Sequence, residues 1–231
     1  MKNPGFDETF LLRAPLFAAL SPGARADLIA AAHVLVLGPG DPLWRQGSPA
    51  DSVAMILAGR CKVLRTQGGR EVIVDVAVPG DVLGTVGFTL GRGYSSTIVC
   101  LRRARVALFP GALLRALLKK ESGAVAALAA DLAADVTRLM NMVESLSAGS
   151  VERRLASAFV ALCARAGEPF PGGILIPLRL RRADLASLAA TTLESASRAI
   201  SRWKRGGLLT PEPAGYLVRD LSALQALASG G

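Results

Sequence analysis

The stretch Thr191 to Gly207, TTLESASRAISRWKRGG, concentrates groups that could do recognition chemistry. Read as a helix, it places Glu194, Ser197, Arg198 and Arg202 along one edge, with Leu193, Ala196, Ile200 and Trp203 on the other face. Arg198 can donate two parallel hydrogen bonds to guanine O6 and N7, Glu194 can accept from cytosine N4, and Ser197 can reach a thymine. Arg182, Thr192, Ser195, Arg202 and Lys204 are suited to phosphate oxygens, contacts that position a protein without specifying sequence. The competing reading of Glu194 and Arg198 is a solvated i,i+4 ion pair worth only about 0.2–0.5 kcal/mol.

These groups need a frame. Thr191 or Thr192 can cap the helix start and Gly206-Gly207 can end it. Upstream, Arg182 to Ala189 has the apolar spacing of a second short helix, joined by a tight connection through Ala190. Two short helices so joined predict a helix-turn-helix, and with it duplex DNA as partner. Val151 to Ala166 reads as an amphipathic helix and Ile174 to Leu178 as a short strand. Leu208-Leu209-Thr210 and Tyr216-Leu217-Val218 flank Pro211 to Gly215 as a β-hairpin wing.

Charge supports this placement. The 231 residues carry a net charge of +9. Residues 151–231 hold 11 Lys/Arg against 6 Asp/Glu, whereas residues 1–150 hold 16 against 12, so basic density peaks around the reading helix. Cys61, Cys100 and Cys163 are widely spaced and form no CxxC or Cys/His cluster, which argues against zinc or an iron–sulfur cluster and for reduced thiols. The N-terminus has Asp7 and Glu8 where a signal peptide needs an apolar core, and no apolar run reaches the roughly 18 residues of a membrane span. A cytoplasmic location, away from membranes, is the expectation.

Residues 1–30 read as helical, interrupted at Pro15 and restarting at Ser21-Pro22. Val34 to Phe109 is a series of short β-branched runs punctuated by Gly and Pro. It contains a repeat: Pro39-Gly40-Asp41 and Pro79-Gly80-Asp81 open two copies of PGDxLxxxG, 40 residues apart, each a turn followed by a strand start. Related hairpin units of this kind suit a β-roll of the jelly-roll class. Beyond Pro110 the pattern turns helical. Val125, Leu128, Leu132, Asp135, Leu139, Met142 and Leu146 alternate steps of three and four, a coiled-coil seam with Asp135 its misfit and Val136 a substitute. The alternative is a helix packed on its own domain. Ser147 to Ser150 reads as a hinge.

This order of β-roll, long helix, hinge and winged helix-turn-helix resembles the CRP/FNR superfamily of bacterial transcription regulators. The resemblance runs from Leu16-Phe17 through Leu221 and rests on the PGD motifs, ILAGRCKVL and ADLASLAATTLESASR. It implies an α+β fold: a cyclic-nucleotide-binding-type β-roll sensor over 1–118, a dimerisation helix over 119–148 and a winged helix-turn-helix over 149–231. Glu194-Ser195-Ala196-Ser197-Arg198 is similar to the ExxSR reading pattern of the FNR-like branch, with Leu193 where the CRP-like branch has arginine. A TTGA-type inverted repeat bound by a homodimer is what that branch implies, with RNA polymerase as a further partner and activation as the working role; the sign of regulation depends on operator position. No catalytic constellation supports an enzyme, and no kinase motif or membrane span supports a cyclic-nucleotide-regulated kinase or channel subunit.

The effector is less determined. The resemblance places a sensor loop at Gly80, Gly84, Thr85, Ser95 and Ser96, with Leu139 facing it from the long helix. Cyclic-nucleotide-binding relatives use a glutamate and an arginine where Thr85 and Ser95 stand, which argues against cAMP. The N-terminal cysteines of iron–sulfur sensors are absent. Haem remains an alternative, with His33, the only histidine, as its candidate ligand; an effector-independent regulator is another.

Overall fold

The computed structural model describes residues 5–147 and 149–230, which fall into two compact units, Met1–Arg138 and Leu139–Gly231. The first opens with three short helices, α1 (Glu8–Leu11), α2 (Pro15–Ala18) and α3 (Pro22–Ala31). Pro15 begins α2 rather than interrupting a helix, since the first helical position needs no N–H donor. Ser21 caps α3 by accepting from the Ala24 N–H.

Eight strands follow: β1 (His33–Leu37), β2 (Pro42–Trp44), β3 (Ser52–Ala58), β4 (Cys61–Gln67), β5 (Arg70–Ala77), β6 (Val82–Leu83), β7 (Thr97–Cys100) and β8 (Ala104–Pro110), with α4 (Thr85–Leu90) between β6 and β7. They form two antiparallel sheets, ordered β1-β8-β3-β6 and β2-β7-β4-β5. The sequence SVAMILA of β3 is apolar at every central position because both faces are covered. Val53, Met55 and Leu57 face one way, into a core with Leu16, Phe17, Leu28, Phe109 and Leu114. Ala54 and Ile56 face the other, into a core with Trp44, Cys61, Tyr94, Ile98 and Cys100.

The two PGD turns are built alike. Gly40 and Gly80 take left-handed φ of 86° and 100°, a conformation glycine adopts without steric cost. Asp41 Oδ2 accepts from the Gly38 N–H and Asp81 Oδ2 from the Val78 N–H, both at 2.7 Å. Each turn then joins a strand by a reciprocal backbone pair. Gly40 donates to Cys100 and Cys100 to Asp41; Gly80 donates to Ile56 and Ile56 to Asp81. The copies diverge after the turn, where α4 follows β6.

Beyond β8 come α5 (Gly111–Leu118) and the 26-residue α6 (Ser122–Ser147), which runs through the boundary between the units. The expected seam along α6 is redistributed. Leu128 is buried in its own domain, and half-buried Asp135 pairs with Arg138. The exposed apolar side chains are Val125, Val136, Leu139, Met140 and Val143. The side chains of Met142 and Leu146 and all of Ala148 lie outside the described residues. Two faces of one helix, offset by a single residue, satisfy nearly the same three-four spacing, so the pattern fits both.

The second unit contains α7 (Val151–Ala166), β9 (Glu168–Phe170), β10 (Gly173–Ile176), α8 (Arg182–Leu188), α9 (Leu193–Arg205), β11 (Leu209–Glu212), β12 (Gly215–Val218) and α10 (Leu221–Ser229). Its sheet is antiparallel, ordered β11-β12-β10-β9. The wing is longer than the expected Pro211–Gly215 loop allows: β11 reaches Glu212, with Pro211 opposite Tyr216. Proline is tolerated there because β11 is an edge strand. α10 packs along α7, and Arg153 Nε donates to the Ala228 carbonyl at 2.9 Å.

Replacing Asp81 with Ala removes the acceptor for the Val78 N–H and is expected to cost about 1–2 kcal/mol. The check is a lowered urea midpoint for the β-roll transition, with a smaller loss for Asp81→Asn.

Candidate nucleic-acid interface

The reading helix is set by its ends. Ala190 has φ 43°, the only positive φ outside glycine among the described residues. It turns the chain between α8 and α9, with Thr191 N–H bonded to the Ala186 carbonyl at 2.9 Å. Thr192 then caps α9: its Oγ1 accepts from the Ser195 N–H at 3.1 Å and lies 3.0 Å from Ser195 Oγ. At the far end Gly207 takes φ 75° and Leu208 N–H closes on the Trp203 carbonyl.

Between these caps α9 divides as its sequence dictates. Ala196, Ala199, Ile200 and Trp203 are buried. The Trp203 ring meets Phe159 of α7 edge-on at 5.9 Å, and Phe159 meets Tyr216 of the wing at 5.6 Å. Leu193, expected on the buried face, is 54% exposed. It is the first helical residue, and that turn projects beyond the core.

The exposed edge carries the expected reading groups. Glu194 Oε1 and Arg198 Nη1 form an i,i+4 pair at 3.0 Å, their side chains 75% and 67% exposed. An exposed pair of this kind holds its partners by only a few tenths of a kcal/mol, so both groups can be traded for base edges. Ser197 is half-buried beside them. Arg182 Nη1 stands 3.5 Å from the Ser197 carbonyl and 3.4 Å from Ser201 Oγ, which ties α8 to α9. Lys204 is exposed, as are Arg179, Arg181 and Arg205, cations that no sequence motif singles out.

Arg202 has a partner that the sequence does not reveal. Its Nη1 lies 2.8 Å from Glu152 Oε2, while Glu152 Oε1 accepts from Trp203 Nε1 at 2.8 Å. One carboxylate in the first turn of α7 therefore anchors two consecutive residues of the reading helix. The residues are 50 apart in sequence, and nothing local in the pattern of either segment signals the pairing.

In the first unit, Gly84 takes φ 88° and caps α4. A Cβ there would lie 3.0 Å from the Tyr94 ring, 3.2 Å from the Ser52 carbonyl and 3.3 Å from Trp44. Trp44 and Tyr94 stack with centroids 4.0 Å apart, and Tyr94 Oη donates to the Ser52 carbonyl at 2.9 Å. Burial raises the Tyr94 phenol above its usual range, so it stays a donor. Thr85 is buried, whereas Ser95 and Ser96 are half-buried. Gly80 sits in the second PGD turn, and Leu139 is exposed on α6. His33 is exposed at the start of β1, a surface position that does not fit an axial haem ligand in a closed pocket. Among the described residues, no cluster of three or more His, Cys, Asp or Glu could hold a metal ion, and no helix is long and apolar enough to cross a membrane.

A β-roll of this type joined to a winged helix-turn-helix defines a two-domain DNA-binding regulator. Residues 34–121 match the cyclic nucleotide-binding domain family and residues 153–227 the Crp-like helix-turn-helix domain family. The chain belongs to the CRP/FNR family of DNA-binding transcription regulators. It is 22% identical over 218 residues to the CRP-like cAMP-activated global transcriptional regulator of Mycobacterium tuberculosis, covering 94% of this chain and 97% of that protein. Over 192 residues it is 25% identical to the nitrogen fixation regulation protein FixK of Rhizobium meliloti, covering 83% of each. Among solved structures, FixK2 of Bradyrhizobium japonicum superposes with TM-score 0.75 at 20% identity, covering 85% of this chain and 96% of that one.

Left-handed φ costs an alanine about 1–2 kcal/mol. Ala190 is exposed and gives up no packing if shortened. Ala190→Gly is therefore expected to stabilise the second unit by about 1 kcal/mol, read as a thermal midpoint raised by several degrees.

Proposed function

We propose that the protein is a homodimeric transcription regulator that reads a TTGA-type inverted repeat through Glu194, Ser197 and Arg198. The observation that carries this reading is the division of α9: a buried Ala/Ile/Trp face fixes the helix, while Glu194 and Arg198 stand exposed and weakly paired on the opposite edge. Arg198 binds guanine O6 and N7, and Glu194 accepts from cytosine N4. Leu193, exposed immediately before Glu194, suits apolar contact with a thymine methyl. Arg182, Thr192, Ser195 and Lys204 serve phosphates, the two hydroxyls at the positive end of the helix dipole. Arg202 joins them when phosphate replaces Glu152 as its partner.

Dimerisation is assigned to α6 and a second copy of this chain. Val125, Ala129, Leu132, Val136, Leu139 and Val143 advance in alternating steps of four and three, and all but half-buried Leu132 are exposed. A partner helix of the same sequence covers such a stripe by knobs-into-holes packing. The working division is then a sensor over 1–118, a dimer helix over 119–148 and a reading domain over 149–231, with RNA polymerase as the partner in activation.

For the signal we infer a ligand other than cAMP, or none. Thr85 and Ser95 supply neither the carboxylate nor the guanidinium that the family resemblance calls for. Removing one charge-assisted hydrogen bond costs about 1.5–3 kcal/mol, one to two decades of affinity.

Two experiments test the reading. A bidentate pairing with a base is worth about 1–3 kcal/mol of discrimination. Arg198→Ala should therefore weaken binding to a TTGA inverted repeat by roughly tenfold or more, while salt-sensitive binding to random duplex persists; undiminished specific affinity in fluorescence anisotropy contradicts it. Leu139→Asp should halve the mass seen by light scattering, whereas a variant that keeps the dimer removes α6 as its interface.

A further inference from the structure

Two of the three cysteines meet inside the β-roll. β4 and β7 pair antiparallel with Cys61 directly opposite Cys100. The next rung, Arg60 with Leu101, carries a backbone hydrogen bond at 2.9 Å. Cys61 and Cys100 therefore occupy a non-hydrogen-bonded rung, where side chains share a face and Cα atoms approach to about 4.5 Å. That separation lies within the range a disulfide spans. The Sγ atoms stand 3.2 Å apart, about 1.2 Å from bonding distance. This is a vicinal dithiol created by the sheet register, between residues 39 apart in sequence.

The pair sits at the end of its ladder. Cys61 is the first residue of β4 and Cys100 the last of β7. The exposed Arg102-Arg103 turn follows directly. Cys61 is 0% and Cys100 3% exposed, so an oxidant reaches them when the ladder end opens locally, an event far cheaper than global unfolding. The two sulfurs share a hydrogen bond in which either can be the donor, so either thiol can attack and the other resolve.

We propose that Cys61 and Cys100 form an oxidation-sensitive dithiol that closes reversibly to an intramolecular disulfide within the β-roll. With a hydroperoxide as oxidant, one thiolate, for example that of Cys100, attacks the peroxide oxygen. The O–O bond breaks, Cys100 becomes a sulfenic acid, and the departing oxygen takes a proton and leaves as water or an alcohol. Cys61 Sγ then displaces the hydroxyl from Cys100; the S–S bond forms, and the Cys61 proton leaves with that hydroxyl as water. The two thiols lose two electrons, which the peroxide gains. The new bond staples β4 to β7 beside the first PGD turn, whose Gly40 and Asp41 already bond to the Cys100 backbone.

Cys163 supplies an internal control: it is buried in α7 of the second unit, and burial pushes its thiol up to about 11. The test uses the native full-length chain, treated with hydrogen peroxide or with diamide, then alkylated under denaturing conditions and weighed. The expected product has lost two hydrogens, takes up one alkyl group, at Cys163, and yields a Cys61–Cys100 crosslink on non-reducing peptide mapping. Dithiothreitol should restore three alkylatable thiols. Cys61→Ala and Cys100→Ala should each abolish the crosslink; circular dichroism verifies their fold, and the wild-type map stands alone if either fails to fold. Three free thiols after treatment, sulfinic acid in place of the bond, or covalent dimers would overturn the proposal. So would a crosslink that forms no faster than Cys163 becomes alkylatable in the undenatured protein, the signature of global unfolding.

Discussion

Phe159 holds the reading surface from beneath. It is fully buried on α7 and meets Trp203 of α9 and Tyr216 of the wing, each ring edge-on. Truncating a buried phenylalanine costs about 3–5 kcal/mol, several times what any exposed ion pair on α9 contributes. The orientation of α9 is therefore set by its underside. This frees the upper edge from structural duty and leaves Glu194 and Arg198 exposed. Glu152 completes the support by bonding both Trp203 and Arg202. Without that carboxylate the buried indole N–H would lack its acceptor.

The β-roll follows a different logic. Its two PGD turns tie into different sheets, one to β7 and the other to β3, with the same aspartate-to-amide bond and the same reciprocal strand contact. The Trp44–Tyr94 stack packs against Gly84, at the loop where the family resemblance locates an effector. Trp44, Tyr94 and the buried Thr85 stand at this loop. The Cys61–Cys100 pair lies in the same core.

Local signals are legible in the sequence because local physics produces them. Thr192 and Ser21 cap helices, Gly207 ends one, and the PGD turns need glycine φ and an aspartate acceptor. Features set by distant packing are not legible. Leu128 and Val136 both satisfy a three-four repeat, and only the core of the first unit decides which is buried. Leu193 fits the apolar face of a helical wheel but overhangs the core. Glu152 with Trp203 and Cys61 with Cys100 depend on tertiary register. β9 escapes a sequence reading because Glu-Pro-Phe has weak strand character. The helix after Asp220 does carry a readable signal, an aspartate cap before an apolar run, which the wing beside it overshadows.

The central claim is that α9 delivers a sequence-specific reading edge, duplicated by two-fold symmetry. In vitro selection of duplexes from a random pool by the purified protein, followed by sequencing, tests it most directly. The account predicts an inverted repeat of TTGA-type half-sites with centres about one helical turn apart, roughly 10–10.5 base pairs. Recovery of a single unrepeated motif, or of no motif above background, would contradict it.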